Sequence, residues 1–179
     1  MILALAKAGK IEVAYLDESG FSVKHPTVYA WTEIGKVHLM DASKNGARLN
    51  VIGAFMSSGH LESTQFTGSA TSDTVIDFIE DFSKKYDDEN KPLTIILDNA
   101  SIHTSNKMKE KIIEFKKSNI SFYFLPAYSP ELNRIEKIWY NSKYVWMKAK
   151  GRIFSELVSD VSEILDGFGK KFKFDFYVK

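Results

Sequence analysis

The sequence predicts an α/β chain with a mixed five-stranded sheet covered by helices, and three observations predict it. A period of two at residues 11–17 and β-branched, aromatic runs at 27–34 and 49–56 read as strands, and helical spacing begins at Ser72. Short apolar runs at residues 93–97 and 121–125 then alternate with further helical segments. With 179 residues, 44% apolar and 13% aromatic, the chain has the size of one well-buried core, so a single domain is expected over residues 1–179.

Residues 1–10 hold only a short apolar run without a cleavage-like signal, and no apolar stretch approaches the roughly 18 residues that a membrane span needs. A soluble, unprocessed chain is the expectation. Ile11, Val13 and Tyr15 then alternate with Glu12, Ala14 and Leu16 in a strand expected to end at Asp17, with Gly20 breaking it. Residues 27–34 and 49–56 are rich in β-branched and aromatic side chains, with Gly35, Asn45-Gly46 and Ser57-Ser58-Gly59 as punctuation. An antiparallel meander of these three runs follows.

From Ser72 the spacing of Val75, Ile76, Ile79, Phe82 and Tyr86 is helical, and Thr71 or Ser72 can cap the first turn. Residues 93–97 are continuously apolar, as a strand buried on both faces requires, and they end at Asp98. Ser105 opens a second helix with Met108, Ile112, Ile113 and Phe115 expected inward, and an aromatic strand at 121–125 closes at Pro126. Ser129-Pro130-Glu131 resembles a helix start: a capping hydroxyl, a proline in the first turn and an acid at the positive end of the dipole. That helix is expected to reach about Lys150, and a last one runs from Ser155 to the stop signals Gly167 and Gly169.

Composition narrows the chemistry. Cysteine is absent, which removes disulfides, thiol redox chemistry and Cys-based zinc sites. A net charge of +1 argues against a module that binds DNA by charge alone. Lysines do crowd residues 107–117 and 143–152, where they either contact phosphates or line solvated helix faces.

Against that background three carboxylates stand out. Asp17 and Asp98 each follow an apolar strand, at the strand ends where sites form in sheets with helical crossovers. Glu136 falls roughly 40° from Leu132 on the stripe Leu132, Ile135, Trp139 and Trp146, so it should border the core. A carboxylate there needs a partner, either a salt bridge to Arg134 or Lys137 or a metal ion. Three acids brought together would repel unless a cation joined them, and an all-oxygen donor set selects Mg²⁺ or Mn²⁺ over zinc. Two such ions about 4 Å apart support phosphodiester chemistry.

The segments Asp17-Glu18-Ser19, Leu97-Asp98-Asn99-Ala100-Ser101-Ile102-His103 and Ser129-Pro130-Glu131-Leu132-Asn133-Arg134-Ile135-Glu136-Lys137-Ile138-Trp139 resemble the mariner-like superfamily of DDE transposases, in its bacterial insertion-sequence branch. Tyr29-Ala30-Trp31 looks like the aromatic signature on that family's second strand, and Arg134 stands where the family usually has proline. The resemblance implies an RNase H-like fold and cut-and-paste transposition, in which a transposase cleaves the ends of a mobile element and joins them to target DNA. It implies that Asp17, Asp98 and Glu136 are catalytic and hold two Mg²⁺ ions, with Mn²⁺ able to substitute. DNA is then the partner, a homodimer in a transpososome the expected assembly, TA dinucleotides the expected target and the bacterial cytoplasm the expected location.

Family members usually carry an N-terminal helix-turn-helix that reads the element ends. About ten residues precede the first strand here, so that region is expected to be absent from this sequence.

Three other readings stay open at this stage. Ser101, His103 and Asp98 could form a hydrolytic triad, but they lie too close in sequence for its geometry. A metal-dependent nuclease or resolvase of the same fold would cut without joining. An inactive domesticated domain would keep the fold alone. Glu18, on the opposite strand face from Asp17, reads as a solvent-facing or supporting group, and His103 as one that shapes the metal site or packs locally.

Overall fold

A computed structural model describes residues 1–24, 31–36, 46–86, 91–148 and 150–173. Its elements are α1 (Ile2–Lys7), β1 (Glu12–Ser22), β2 (Arg48–Met56), β3 (Leu61–Phe66), α2 (Ser72–Lys85), β4 (Leu93–Leu97), α3 (Asn106–Lys117), β5 (Ile120–Phe124), α4 (Ile135–Asn141) and α5 (Phe154–Asp166). A 3₁₀ turn at Pro130–Leu132 precedes α4, and a π-helical turn at Ser142–Trp146 follows it. Among the described residues no helix is long and apolar enough to cross a membrane.

The sheet runs β3-β2-β1-β4-β5, with β1, β2 and β3 antiparallel and β4 and β5 parallel to β1. It is the expected mixed five-stranded sheet. Side-chain alternation sends Val13, Tyr15, Val51 and Phe55 to one face, under α4 and α5, and Ala14, Leu16, Ile52 and Ile95 to the other, under α2 and α3. All five residues of β4 are buried, which is why its sequence is apolar without alternation. The caps at Thr71 and Ser105 form as the sequence suggests, each hydroxyl accepting a backbone N–H of the first turn.

Several expectations need correction. The first strand does not end at Asp17; β1 continues through Gly20 to Ser22, paired along its length with β2. Gly20 is not a break, because its bare face leaves room for the Arg48 guanidinium from the neighbouring strand. Residues 31–36 are irregular rather than part of a strand, and the rest of the expected 27–34 strand, with Tyr29 and Ala30, lies outside the described residues. The third antiparallel strand is instead β3. The first residues form α1, which packs Ile2 and Ala6 onto the core.

The single helix expected from Ser129 to about Lys150 is broken. Asn133 adopts extended backbone (φ −88°, ψ 103°) and its side-chain amide donates to Leu16 O at 3.1 Å. A buried amide tied to a strand carbonyl outweighs the helical continuity that the apolar spacing suggested. Leu132 therefore lies on the exposed turn and not in the core stripe, which consists of Ile135, Ile138 and Trp139. Ile113 also faces outward, leaving Met108 and Phe115 as the buried residues of α3.

Candidate active site

β1 and β4 are parallel with Tyr15 beside Ile96. Continuing that register two residues places Asp17 next to Asp98, on the face toward α4. Opposite Asp17 on the other side stands Gly53 of β2. A Cβ there would sit 2.9 Å from Trp139 Cη2, so the missing side chain lets the indole of α4 lie on the sheet. Glu136 is one turn before Trp139, and this contact brings it over the strand ends. Asp17, Asp98 and Glu136 consequently line one cleft of about 400 Å³.

Electrostatics in the cleft reflect crowded acids. Burial, then the charges of Glu136, Glu18 and Asp98, push the Asp17 carboxyl well above the usual carboxylate range, against one backbone N–H. Burial and Asp98 also raise Glu136, which the Lys143 ammonium opposes. Lys143, on the π-helical turn, is itself lowered, chiefly by burial, and lies 5.4 Å over the Phe21 ring. Glu136 makes no ion pair within 4 Å among the described residues. The salt bridges to Arg134 or Lys137 do not form; Arg134 lies over the Tyr15 ring instead.

Two supporting residues were only partly legible in the sequence. His103, 1% exposed, places Nδ1 2.7 Å from Asp98 Oδ1 and Nε2 3.2 Å from Glu18 Oε1. Burial alone would lower its pKa, but the Glu18 hydrogen bond and the charges of Glu18 and Asp98 raise it to about 9. Glu18 thus points away from Asp17, as strand alternation requires, and braces the imidazole that braces Asp98. No triad forms, because His103 faces Asp98 and Glu18 and not Ser101. Asn133, 3% exposed, lines the cleft with its Nδ2 fixed on Leu16 O and its Oδ1 without a partner. Its place in the third segment was visible, its role was not.

Among the described residues no group of three or more His, Cys, Asp or Glu is gathered tightly enough to hold an ion as it stands. His103 and the Ala100 N–H engage Asp98 Oδ1, leaving Oδ2 for a ligand. A larger groove at the far end of the sheet has its lysines paired, Lys91 with Glu12 at 2.7 Å and Lys111 with Glu80 at 2.8 Å. It carries no comparable convergence of unpaired acids. Of the lysines crowding residues 107–117, Lys107 is engaged with Asp73 and Lys111 with two glutamates, in keeping with a solvated helix face.

The sequence profile of the DDE superfamily endonucleases matches residues 12–158. The chain belongs to that family. This DDE endonuclease chain is 31% identical over 137 residues to the transposable element Tc3 transposase of Caenorhabditis elegans, a match covering 72% of the chain and 40% of the relative. It is 35% identical over 69 residues to an uncharacterized protein of Sinorhizobium fredii, covering 38% of the chain and 45% of that protein.

Its fold is similar to the Mos1 mariner paired-end complex with Mn at a TM-score of 0.66 and 16% identity, covering 94% of this chain and 52% of the other. The catalytic core domain of BIV integrase matches at 0.52 and 13%, covering 91% and 86%. The chain spans 40% of the Tc3 transposase and between 52% and 61% of the Mos1 transposase chains it matches. The expected resemblance to a mariner-like DDE transposase catalytic domain with an RNase H-like sheet is borne out.

Proposed function

We propose that the chain is the catalytic domain of a cut-and-paste DNA transposase, with Asp17, Asp98 and Glu136 as its catalytic and metal-holding carboxylates. The observation that carries this reading is the opening of three acids from β1, the end of β4 and α4 onto one cleft, with Asp17 held well above the usual carboxylate range. A donor set of carboxylate oxygens fits Mg²⁺ or Mn²⁺. Mos1 paired-end complexes with Mn and with Mg, and one with the left transposon end, support the same choice of cofactor and substrate.

When bound, two such ions would supply the charge that stabilises the attacking and leaving oxygens at a phosphodiester. The protein's own groups prepare the rest. His103 fixes the rotamer of Asp98 through Oδ1. Glu18 keeps that imidazole charged and so directed at Asp98. The half-buried Lys143 ammonium beside Glu136 offers a positive charge to a substrate phosphate. The Asn133 amide holds the Leu16 carbonyl, the residue before Asp17, against α4. DNA at element ends and target is the proposed partner, with a homodimer as the working unit in the cytoplasm.

Plasmid nicking and strand transfer from pre-cleaved ends in Mg²⁺ or Mn²⁺ test the proposal. Both activities should vanish in Asp17→Asn, Asp98→Asn and Glu136→Gln. Cutting that depends on all three acids but never yields joined product would instead assign a nuclease of the same fold.

A further inference from the structure

Asn133 carries a buried oxygen that its structural role leaves over. The residue is 3% exposed and stands where the 3₁₀ turn meets α4. Its Nδ2 donates at 3.1 Å to the carbonyl of Leu16, one residue past the last β1–β4 pair, Tyr15 with Ile96. Its own backbone carbonyl accepts the Glu136 N–H at 3.1 Å. Asn133 is thus bonded to the residue before Asp17 and to Glu136 itself, and it lines the cleft that holds both acids and Asp98.

That anchoring fixes the amide. A carbonyl only accepts, so Nδ2 must face Leu16 O and Oδ1 is left as an acceptor. Oδ1 is buried and has no donor. A buried acceptor without a donor is costly, and gripping Leu16 requires a donor only, so the fold does not account for Oδ1. The other uncharged side-chain donors along the cleft are committed or turned outward. Asn99 Nδ2 donates to Leu125 O, Ser129 Oγ donates to Ala127 O at 3.4 Å, and the Tyr128 side chain is fully exposed. A donor for Oδ1 must therefore arrive with whatever fills the cleft.

Resting on the function proposed above, we infer that Asn133 is an outer ligand of the divalent site: Oδ1 accepts a hydrogen bond from a water that the ion carries. Mg²⁺ gives up its hydration waters reluctantly and keeps several where only a few carboxylates reach it, and each retained water needs an acceptor. A neutral amide oxygen supplies one without adding a further charge to the crowded acids.

Pulsed EPR of Mn²⁺ bound to the full chain tests this. The protein is labelled with ¹³C-asparagine, and the part of the ¹³C signal that disappears in Asn133→Asp belongs to residue 133. A weak dipolar coupling, the mark of an atom near the ion but not bonded to it, is expected there. Calorimetry with Mn²⁺ is read alongside. Asn133→Ala, which removes acceptor and donor together, should weaken binding by about 10- to 100-fold. Asn133→Asp keeps an acceptor and loses the donor to Leu16, so it should bind Mn²⁺ at least as tightly as wild type while melting lower in EDTA.

No coupling from residue 133, a strong through-bond coupling that marks direct ligation, or unchanged affinity in Asn133→Ala would each overturn the inference. So would equal weakening in the two variants, which a residue that only holds Leu16 would produce. Asp17-dependent Mn²⁺ binding and nicking without the Asn133 coupling removes the inference alone. The coupling without nicking or joining removes the catalytic reading alone, and absence of Mn²⁺ binding removes both.

Discussion

Replacing Gly53 by alanine tests whether the approach of α4 to the sheet sets the site. The added Cβ would meet Trp139 Cη2 at 2.9 Å and Cζ2 at 3.1 Å, with the Glu62 carbonyl at 3.3 Å behind it. Carbon atoms in contact prefer at least about 3.5 Å, so the ring must retreat by about 0.6 Å. The Glu62 backbone is held in the β2–β3 ladder and cannot yield. Over-packing of this kind costs about 1–3 kcal/mol. At about 2–4 °C per kcal/mol for a chain of this size, the melting temperature should fall by about 2–12 °C.

Because Glu136 rides on the same helix, metal-dependent nicking should drop by between about ten- and a hundred-fold, the scale on which misplacement approaching 1 Å acts. Trp139→Phe shortens the ring where the new methyl intrudes. The double variant should therefore be more stable and more active than the sum of the two single changes allows, with a coupling of about 1 kcal/mol or more. Thermal unfolding and plasmid nicking of the four proteins measure this. Wild-type melting and nicking in Gly53→Ala, or strict additivity with Trp139→Phe, would refute the reasoning.

Three further outcomes follow from single contacts. Glu12 is buried with Lys91 Nζ at 2.7 Å, Ser57 Oγ at 2.7 Å and Ser58 N at 2.9 Å; burial would raise its pKa, but these partners together hold it below the usual value. A depressed carboxylate stabilises fully above its unfolded pKa and loses that contribution as pH falls through the folded one. Glu12→Gln should thus cost about 1–3 kcal/mol at pH 7, a deficit that closes in urea titrations as pH drops below about 4. Asn133→Ala strips the Leu16 carbonyl of its donor and should also cost about 1–3 kcal/mol; Asn133→Asp, which adds a charge beside Asp17, should melt lower still at pH 8. In EDTA, Asp17→Asn should melt above wild type by relieving repulsion among the acids, and Mg²⁺ should raise the melting temperature of wild type alone.

What the sequence made legible follows from how each feature is encoded. Residues 93–97 read as a buried strand because burial on both faces demands apolar residues at every position. β3 was invisible because an edge strand, paired only with β2 and partly open to solvent, tolerates Glu62, Ser63, Thr64 and Gln65. Its pattern therefore carries no strong period. Gly20 misled for a related reason: glycine usually punctuates, and here it makes room for Arg48 across the strand.

The same distinction divides the site. Asp98 was legible because a polar residue ending an apolar run marks where β4 leaves the core, whereas Asp17, picked out by the same rule, lies within β1, which continues to Ser22. The proposed role of Glu136 was suggested by its place in the third segment and by its angle from Leu132, yet Leu132 is on an exposed turn and plays no part in aiming it. Glu136 is aimed by contacts between residues remote in sequence: Asn133 gripping the Leu16 carbonyl and Trp139 lying on Gly53 opposite Asp17. Both fasten α4 to the two strands that flank or bear Asp17. Periodicity within a segment cannot carry such information, because it lies in the fit between segments. The acid that helical spacing alone could not place is therefore the one whose position depends most on tertiary packing, and the one that Gly53→Ala should displace first.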